Sequence, residues 1–373
     1  MDEFVAPSQR HDFEIAIFCA LALEYDAVTL LFDEYWEKDY GRATGDTNTY
    51  TAGRIGQHNV VLVVLAGMGK ASAATAFSSI NPSYTGVQLA LLVGVCAGIP
   101  KDNDGNDIFL GDVIVSHFVV QYDFARRLPD GDDVLGRPSS NIRAFVNTLQ
   151  TRLHQQRLGA RTLDNLRVLQ DKDGSGYYDY PGRALDKLFE PDFRHKHPPS
   201  QNCIVCDRCV ATSHPACRQA EKLSCDELQC DEARLVPRTP RQTKTSEDEV
   251  DNGAELHDGH LWIHFGPMAS GDLVMRSGED RDRIARAHKT IAFDMEGAGL
   301  FDNLPTIVIK GVCDYADSHK NKRFQNYAAA TAASAMKALL QQYQRTDRRH
   351  VPSIINVPEL TRYISGLPGG LLE

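Results

Sequence analysis

Three carboxylates stand directly beside apolar, strand-like segments of this sequence. Glu24 follows the apolar run at residues 14–21, Glu296 lies in the segment FDMEGAGL, and Asp314 ends the run IVIKGVCD. Carboxylates embedded in apolar sequence are seldom buried without a partner or a role, because burying a charge is costly. We therefore expect a site in which carboxylates bind hydroxyl groups, transfer protons or activate water, although Glu24 by itself is also typical of a solvated helix surface.

Segments of small residues accompany these carboxylates. Residues 66–70 (AGMGK) and 93–98 (VGVCAG) lie at the ends of two further apolar runs. Glycine lets the backbone approach a ligand closely, but it serves tight turns equally well, and a lone Gly-x-Gly is weak support for phosphate binding. Open α/β sheets bind ligands at the carboxyl ends of their strands, so we expect these segments and the three carboxylates to form one pocket.

The elements that position these residues are predicted from hydrophobic patterning. Continuous apolar and β-branched runs predict buried strands at residues 14–21, 59–66, 88–95, 112–116, 260–265, 290–293 and 306–312. Ala-rich segments predict a crossover helix at residues 70–80 and a long helix at about 325–344, and the segment from Gly53 to Gly56 predicts a turn. This alternation predicts an α/β fold.

Residues 129–258 are predicted to be an insert in this fold. It contains, in order, two helical stretches, a Cys-rich segment and a charged, partly flexible run, at residues 141–158, 163–170, 203–230 and about 239–255. Residues 1–345 would then form one catalytic domain that includes the insert, and residues 346–373 would form a linker or a peripheral tail.

The composition excludes several classes of protein. The chain has 373 residues, of which 42% are hydrophobic and 24% charged, and no apolar run approaches the roughly 18 residues of a membrane-spanning helix. The polar, acidic first residues lack the pattern of a secretory signal, so a cytoplasmic globular protein is expected. A net charge of −10 argues against nucleic acid and membranes as partners, but it leaves open a local basic pocket for a phosphorylated metabolite.

Six of the nine cysteines fall within residues 203–230, with His195, His197 and His214 nearby. These residues are sufficient for one tetrahedral, structural zinc site. The candidate ligands are Cys203, Cys206, Cys225 and Cys230. The second pair lacks the Cys-x2-Cys spacing of a zinc knuckle, so free or disulfide-bonded thiols in a loop are the alternative. We expect the chemistry at the carboxylates to need no cofactor.

Seven short motifs make the sequence similar to a known family. They are IFCALALEYDAV, AGMGKASAA, LLVGVCAGIP, GDVIVS, MASGDLVM, FDMEGAGLFDN and KGVCDYADSHKNKRFQNYAAATAA, within residues 12–126 and 258–343. In these motifs the sequence resembles the nucleoside phosphorylase and nucleosidase superfamily, and specifically the phosphorylase-like N-terminal domain of fungal STAND/NLR-type immune receptors. The resemblance implies a three-layer αβα fold with a mixed, barrel-like central sheet, cleavage of N-glycosidic bonds and a homo-oligomer.

The resemblance also implies roles for individual residues. Glu296 matches the glutamate that binds the ribose hydroxyls, with Met295 against the sugar, and Asp314 matches the acid that protonates purine N7. Glu24 matches the glutamate with which hydrolytic relatives activate water. Val274 matches a position where relatives often carry an aromatic ring against the base. The other residues implied in substrate binding are Cys96, Ala97, Gly98, Gly67 and Cys313.

One departure from the family pattern bears on the reaction. Phosphorylases of this kind hold phosphate with an arginine before a Gly-Ser/Thr pair and with that hydroxyl, whereas this chain has Leu92-Val93 and then Val95-Cys96. A carboxylate such as Glu24 suits neutral water as the nucleophile, whereas a phosphate dianion would meet like-charge repulsion. Hydrolysis is therefore favoured, and phosphate-dependent cleavage is the alternative.

The substrate is predicted from the same resemblance. Fungal-receptor domains of this kind resemble nucleosidases that act on adenine nucleotides, which implies ATP or dATP, cleaved to adenine and the sugar triphosphate in immune or stress signalling. The phosphates would need cations. The candidates are Arg126, Arg127, Lys320, Lys322 and Arg323. A non-catalytic, nucleotide-sensing module of a larger signalling protein is the third hypothesis.

Overall fold

The computed structural model describes residues 5–123, 127–128, 131–132, 139–210, 214, 217–238, 261–300 and 304–345. The predicted flexible run at 239–255, the predicted tail at 346–373 and Arg126 lie outside these residues. Met1–Tyr343 form one compact unit, and Gln344–Glu373 form a second, of which only residues 344 and 345 are described. No helix among the described residues is long and apolar enough to cross a membrane.

Thirteen strands lie in the part of the chain that the structure describes. In chain order they are β1 (Ile15–Cys19), β2 (Glu34–Tyr35), β3 (Tyr50–Ile55), β4 (His58–Val64), β5 (Leu89–Gly98), β6 (Val113–Ser116), β7 (Val119–Gln121), β8 (Arg127–Leu128), β9 (Gly131–Asp132), β10 (Ile263–Phe265), β11 (Met268–Ser270), β12 (Ala292–Asp294) and β13 (Thr306–Asp314). The continuous apolar runs form β1, β4, β5 and β13, which are buried along nearly their whole length, as two-sided burial requires.

The described residues also form eight α-helices. They are α1 (Ala22–Leu30), α2 (Lys70–Ser83), α3 (Ser140–Leu149), α4 (Arg152–Asp173), α5 (Ile204–Asp207), α6 (Gly278–His288), α7 (Gly297–Leu300) and α8 (Gln325–Leu340). Local sequence explains some of their ends. The Ser277 side chain accepts a hydrogen bond from the Asp280 N–H at the start of α6, and Gly174 ends α4 in the left-handed conformation.

The large sheet is mixed, and its centre is parallel. β4, β1, β5 and β13 run parallel in that order, with antiparallel β3 beside β4 and antiparallel β6 beside β13. β12 pairs antiparallel with the end of β5 and leads through β11 to β7. The described strands thus form an open, branched sheet and not the barrel-like sheet that was expected. The carboxyl ends of the four parallel strands meet at one edge.

Helices cover both faces of this sheet. The register of β1, β5 and β13 places Phe18 and Val308 on one face, where Phe18 contacts Phe77 of α2. Gly311 of β13 faces the other side, where a Cβ would overlap the backbone of Ala328 in α8. α8 is almost completely buried between the sheet and α4. The predicted α/β class with helices on both faces is therefore confirmed.

The predicted turn at Gly53 is wrong. Gly53 lies inside β3, and the turn comes at Gly56, which has a φ of 60°. Glycine is needed inside the strand because a Cβ would overlap the ring of Phe32 and lie 2.6 Å from the carbonyl oxygen of Glu34. The sequence around Gly53 suggests a turn because it contains no sign of this close contact with Phe32 and Glu34.

The helix predicted at residues 141–158 is two helices. α3 ends at Leu149, and α4 continues to Asp173 through the predicted break between residues 158 and 163. Leu158 and Leu166 are buried on the face of α4 that packs against α8. This tertiary contact stabilises α4 across Gly159, whose intrinsic helix propensity is low.

We expect Gly53→Ala to lower the free energy of unfolding by about 1–3 kcal/mol, because the added methyl group has no space against Phe32. Gly159→Ala is the matched control, since no atom lies within 4 Å of its Cβ position, and it should raise stability by up to about 1 kcal/mol. Urea unfolding followed by circular dichroism measures both changes. Equal effects of the two substitutions would contradict the assigned packing of β3.

Candidate active site

A cavity of about 920 Å³ opens where the carboxyl ends of β1, β5 and β13 meet. This volume is typical of a small-molecule site. The residues that line it from the sheet and its loops are Ala20, Leu21, Glu24, Met68, Val95, Cys96, Ala97, Phe293, Asp294, Met295, Glu296, Cys313 and Asp314. The three carboxylates that the sequence singles out therefore lie in one pocket.

Glu24 is buried at the start of α1 and accepts three backbone hydrogen bonds. Its Oε2 accepts from the N–H groups of Ala20 (2.8 Å) and Leu21 (2.9 Å), and its Oε1 accepts from the N–H of Val95 in β5 (2.7 Å). A Cβ on Gly94 would overlap this carboxylate. Burial raises the pKa of Glu24. The positive charge of Lys310 and the N–H donors lower this pKa, but they offset only part of the effect of burial. A raised pKa suits a base that accepts a proton from water near neutral pH.

Glu296 joins two parts of the pocket. Its Oε1 accepts a hydrogen bond from the N–H of Gly69 (3.3 Å), and its Oε2 lies 3.3 Å from Nζ of Lys310. Gly69 has a φ of 103°, a conformation that favours glycine, and it precedes the first residue of α2. The second glycine of AGMGK thus positions the carboxylate of Glu296.

Lys310 is a site residue that the sequence reasoning missed. It lies in the middle of β13 with no exposed surface, and its pKa reflects two opposing influences. Burial lowers the pKa, but the carboxylates of Glu296, Glu24 and Asp294 outweigh burial and raise it. The sequence did contain a signal for Lys310, because a lysine inside the apolar run IVIKGV needs a buried negative partner.

Asp294 adds a further buried carboxylate to this cluster. Burial raises its pKa to about 6, with Lys310 opposing the shift and Glu296 adding to it. Its Oδ2 accepts a hydrogen bond from the N–H of Gly297 (2.9 Å) at the start of α7. With Glu24, Asp294 and Glu296 around one lysine, the described cluster carries an excess of negative charge when all its groups are ionised.

Asp314 faces the same pocket from the end of β13. Its Oδ1 accepts a hydrogen bond from the N–H of Ala316 (2.8 Å), and its Oδ2 lies 3.2 Å from Nζ of Lys320. Cys313 beside it is buried, and burial raises the pKa of the Cys313 thiol. Lys320, a candidate phosphate ligand, therefore forms an ion pair with Asp314 in this structure.

The structure distributes the other predicted substrate-binding residues unevenly. Cys96, Ala97 and Met295 line the cavity, whereas Gly67 and Gly98 lie outside its lining. Gly98 instead packs under β13, where a Cβ would lie 2.8 Å from the side chain of Val312. The family resemblance implied that both glycines bind the substrate, but neither is among the residues that line the cavity.

The rim of the cavity is apolar on one side and charged on another. Val274 lies on this rim and is more than half exposed, whereas Phe293, which the sequence reasoning missed, supplies the aromatic ring in the described lining. Lys322 and Arg323 also line the cavity, and Arg323 lies 3.6 Å from Asp226. Only the backbone of Arg127 is described.

The insert forms one wall of the cavity. Its contribution comes from Glu221 and Lys222 in the short turn at Ala220–Lys222 and from Leu223, Ser224 and Glu227, which follow this turn. The sequence reasoning placed the insert outside the family core and gave it no part in the site. Only the folded chain shows that residues 87 to 93 positions before Asp314 reach the same cavity.

The four cysteines predicted as one zinc site lie in two places. One group consists of His197, Cys203, Cys206 and Cys217, and the other consists of His195, Cys225, Cys230 and His319. The single site with four cysteine ligands is therefore not formed. The spacing of the cysteines did not predict this arrangement, because other residues complete each pair. His197 and Cys217 lie beside Cys203 and Cys206, and His195 and His319 lie beside Cys225 and Cys230.

Comparisons of sequence support the family resemblance. The phosphorylase superfamily matches residues 14–169 of the chain. A nucleotide-binding leucine-rich repeat (NLR)-like protein of Hyaloscypha variabilis is 27% identical over 339 residues, covering 88% of this chain and 29% of the relative. The ATP nucleosidase Cap17 of Escherichia coli is 29% identical over 85 residues, covering 21% of this chain and 17% of the relative. The chain thus spans less than a third of the length of these relatives.

Solved structures with a similar chain path include two from Helicobacter pylori. They are futalosine hydrolase and 5′-methylthioadenosine/S-adenosylhomocysteine nucleosidase. Each is 15% identical with a TM-score of 0.49, and each alignment covers 89% of this chain and 99% of the solved chain.

We expect Lys310→Met to lower the free energy of unfolding by about 3–5 kcal/mol, because buried carboxylates lose their cation. Without Lys310 the pKa values of Glu24 and Asp294 rise further, because the positive charge that lowers both is lost, so the loss should be small at acid pH and grow as the pH rises through those values. The double variant Lys310→Met/Glu296→Gln should recover part of the loss. Urea unfolding at several pH values between about 5 and 8 measures the pH dependence of this loss of stability. A Lys310→Met variant as stable as the parent would contradict the assignment.

Proposed function

We propose that this chain is a nucleosidase that hydrolyses the N-glycosidic bond of purine nucleosides or nucleotides. The observation that carries the proposal is the position of Glu24, a buried carboxylate of raised pKa in the cavity that also holds Glu296 and Asp314. A base, a ribose-binding carboxylate and an acid for the leaving group are the parts that this reaction needs. The sequence similarity to the phosphorylase superfamily supports the same class of reaction.

Charge in the pocket favours water over phosphate as the nucleophile. Glu24, Asp294 and Glu296 surround one buried lysine, so a phosphate dianion beside Glu24 would meet net negative charge in a dry site. The N–H of Val95, a donor that could otherwise hold a phosphate oxygen, is already bonded to Glu24. Neutral water carries no such penalty.

The roles of the residues follow from this arrangement. Glu24 accepts a proton from water as the water oxygen bonds to C1′ of the ribose. The bond between C1′ and purine N9 breaks, its electron pair goes to the base, and Asp314 donates a proton to N7. Glu296 binds the ribose hydroxyls, and its negative charge stabilises the positive charge that develops on the sugar. Since Lys320 pairs with the Asp314 carboxylate, substrate binding must displace Lys320 before Asp314 can carry this proton.

Adenine nucleotides are the proposed substrates. Lys322 and Arg323 line the cavity rim and can bind phosphate oxygens, and the similarity to an ATP nucleosidase supports ATP as the substrate. The immune or stress context expected from the sequence is part of this proposal. Phe293 offers its ring as an apolar contact for a purine, a role that Val274 on the exposed rim cannot fill by stacking.

Product analysis tests the reaction and the substrate together. We expect the protein to release adenine from ATP without phosphate, leaving ribose triphosphate, because the pocket favours water. Chromatography of reactions with ATP, AMP, adenosine, guanosine and inosine, with and without phosphate, measures base and sugar products. Strict dependence on phosphate would identify a phosphorylase instead, and binding without turnover of any of these compounds would indicate a non-catalytic sensor.

Substitution of the two proposed catalytic groups should separate their roles. We expect Asp314→Asn to lower kcat by about 10²–10⁴-fold, because an amide cannot protonate N7, and Glu24→Gln to cause a loss of similar order because water is no longer activated. KM should change much less than kcat in both variants. Glu37→Gln is the matched control, because Glu37 is an exposed glutamate outside the cavity lining, and it should leave kcat unchanged. A Glu24→Gln variant with normal turnover would refute the assignment of the base.

A further inference from the structure

Two groups of cysteine and histidine side chains lie in the insert region, apart from the carboxylates. We call them the His319 group (His195, Cys225, Cys230 and His319) and the His197 group (His197, Cys203, Cys206 and Cys217). Within each group the potential ligand atoms all lie within 4.8 Å of one another. The cysteines of both groups are free thiols.

The distances in the His319 group match the edges of a zinc tetrahedron. Zn–N bonds of about 2.0–2.1 Å and Zn–S bonds of about 2.3 Å place two nitrogens about 3.3 Å apart and a nitrogen and a sulfur about 3.6 Å apart. Nδ1 of His195 lies 3.3 Å from Nδ1 of His319. Sγ of Cys225 lies 3.8 Å and 3.6 Å from these two nitrogens, and Sγ of Cys230 lies 3.5 Å from Nδ1 of His195.

The hydrogen bonds of both histidines leave Nδ1 for a metal. Nε2 of His195 lies 2.9 Å from the carbonyl oxygen of Leu223, and Nε2 of His319 lies 3.1 Å from that of Phe193. A carbonyl oxygen only accepts, so each Nε2 carries a hydrogen, and each ring in its neutral form presents the lone pair of Nδ1 to the group. Two lone pairs that face each other repel unless a cation lies between them. A carbonyl on the far nitrogen is also the usual support of a metal-bound histidine.

The distances in the His197 group are also close to the edges of a zinc tetrahedron. Sγ atoms of Cys203 and Cys217 are 3.9 Å apart, close to the roughly 3.8 Å edge between two zinc-bound sulfurs and far from the roughly 2.05 Å of a disulfide. Nδ1 of His197 lies 3.4 Å from Sγ of Cys206, and the His197 N–H donates to the same sulfur at 3.3 Å. Three cysteines and one histidine are a common structural zinc set.

We propose that each group binds one structural zinc ion, and that the ion in the His319 group fastens the insert to the active-site loop. His319 follows Asp314 by five residues, whereas Cys225 and Cys230 belong to the insert. Ser224, which immediately precedes Cys225, and Leu223, which accepts from His195, both line the cavity. The metal therefore holds the wall of the cavity and the loop of Lys320 in one arrangement. Binding displaces the thiol protons to solvent and requires no oxidant.

The packing of the insert is consistent with this role. The described apolar cluster around the cysteines consists of Cys206, Cys217, Ala220 and Leu228, with Cys203, Leu223 and Cys230 partly buried against it, and four of these seven residues are proposed zinc ligands. His319 stacks on Phe189, with ring centroids 4.1 Å apart, which holds the histidine in place. So small an apolar cluster stabilises a fold weakly, and bound metal contributes folding free energy directly.

Metal analysis of the purified chain, kept reduced and dialysed, tests the stoichiometry. We expect about two zinc ions per chain in the parent and about one in both His319→Ala and Cys203→Ser. The matched control is Cys209→Ser, because Cys209 is a buried cysteine of the same segment that belongs to neither group, and it should keep about two ions. Cobalt substitution of the parent should give thiolate-to-metal charge-transfer absorption at two equivalents.

The coupling to the active site has its own readout. Amide hydrogen exchange in residues 221–227 and 315–324 should become faster in His319→Ala, while Cys203→Ser should leave exchange of the 315–324 loop unchanged. A parent chain that binds no zinc, or a Cys209→Ser variant that loses as much metal as Cys203→Ser, would overturn the proposal of two sites. If exchange in residues 315–324 becomes faster to the same extent in His319→Ala and Cys203→Ser, the proposed link between the His319 group and this loop is wrong. These measurements do not depend on turnover.

Discussion

A single buried lysine organises the centre of this protein. Lys310 projects from the middle of β13 toward Glu296, and the fields of Glu24 and Asp294 also keep it charged. Lys310 offsets part of the negative charge of three buried carboxylates, and an excess of negative charge remains when all four groups are ionised. Removing the cation would force the carboxylates to take up protons, and the pocket would lose the ionised groups that its chemistry needs.

The sheet brings these charges together through close backbone contacts. The parallel strands β1, β5 and β13 end at one edge, so groups far apart in sequence meet there. Gly94 admits the carboxylate of Glu24 to the backbone of β5, and Gly69 donates its N–H to Glu296. On the opposite face Gly311 admits α8 against β13. Small residues therefore set the distances at which the buried charges interact.

Negative and positive charges lie in different parts of the cavity. An excess of buried carboxylate favours neutral water, whereas the cations that could attract a phosphorylated substrate lie on the rim, at Lys322 and Arg323. Beside Arg323, which lies 3.6 Å from Asp226, the insert supplies a wall through Leu223 and Ser224, next to the His319 group. The buried carboxylates thus lie at the base of the cavity, and the residues of the insert lie in its wall.

The sequence by itself determined the buried strands, the crossover helix α2 and the grouping of Glu24, Glu296 and Asp314, because apolar runs and strand-end carboxylates are local signals. It did not reveal that Gly53 lies in a strand or that Lys310 compensates the carboxylates. Nor did it separate the cysteines into two groups, one of which His319 completes. Each of these features depends on contacts between residues that are distant in the chain. Such contacts exist only once the tertiary structure has formed, because the spacing of residues along the sequence does not tell how far apart two segments lie in space.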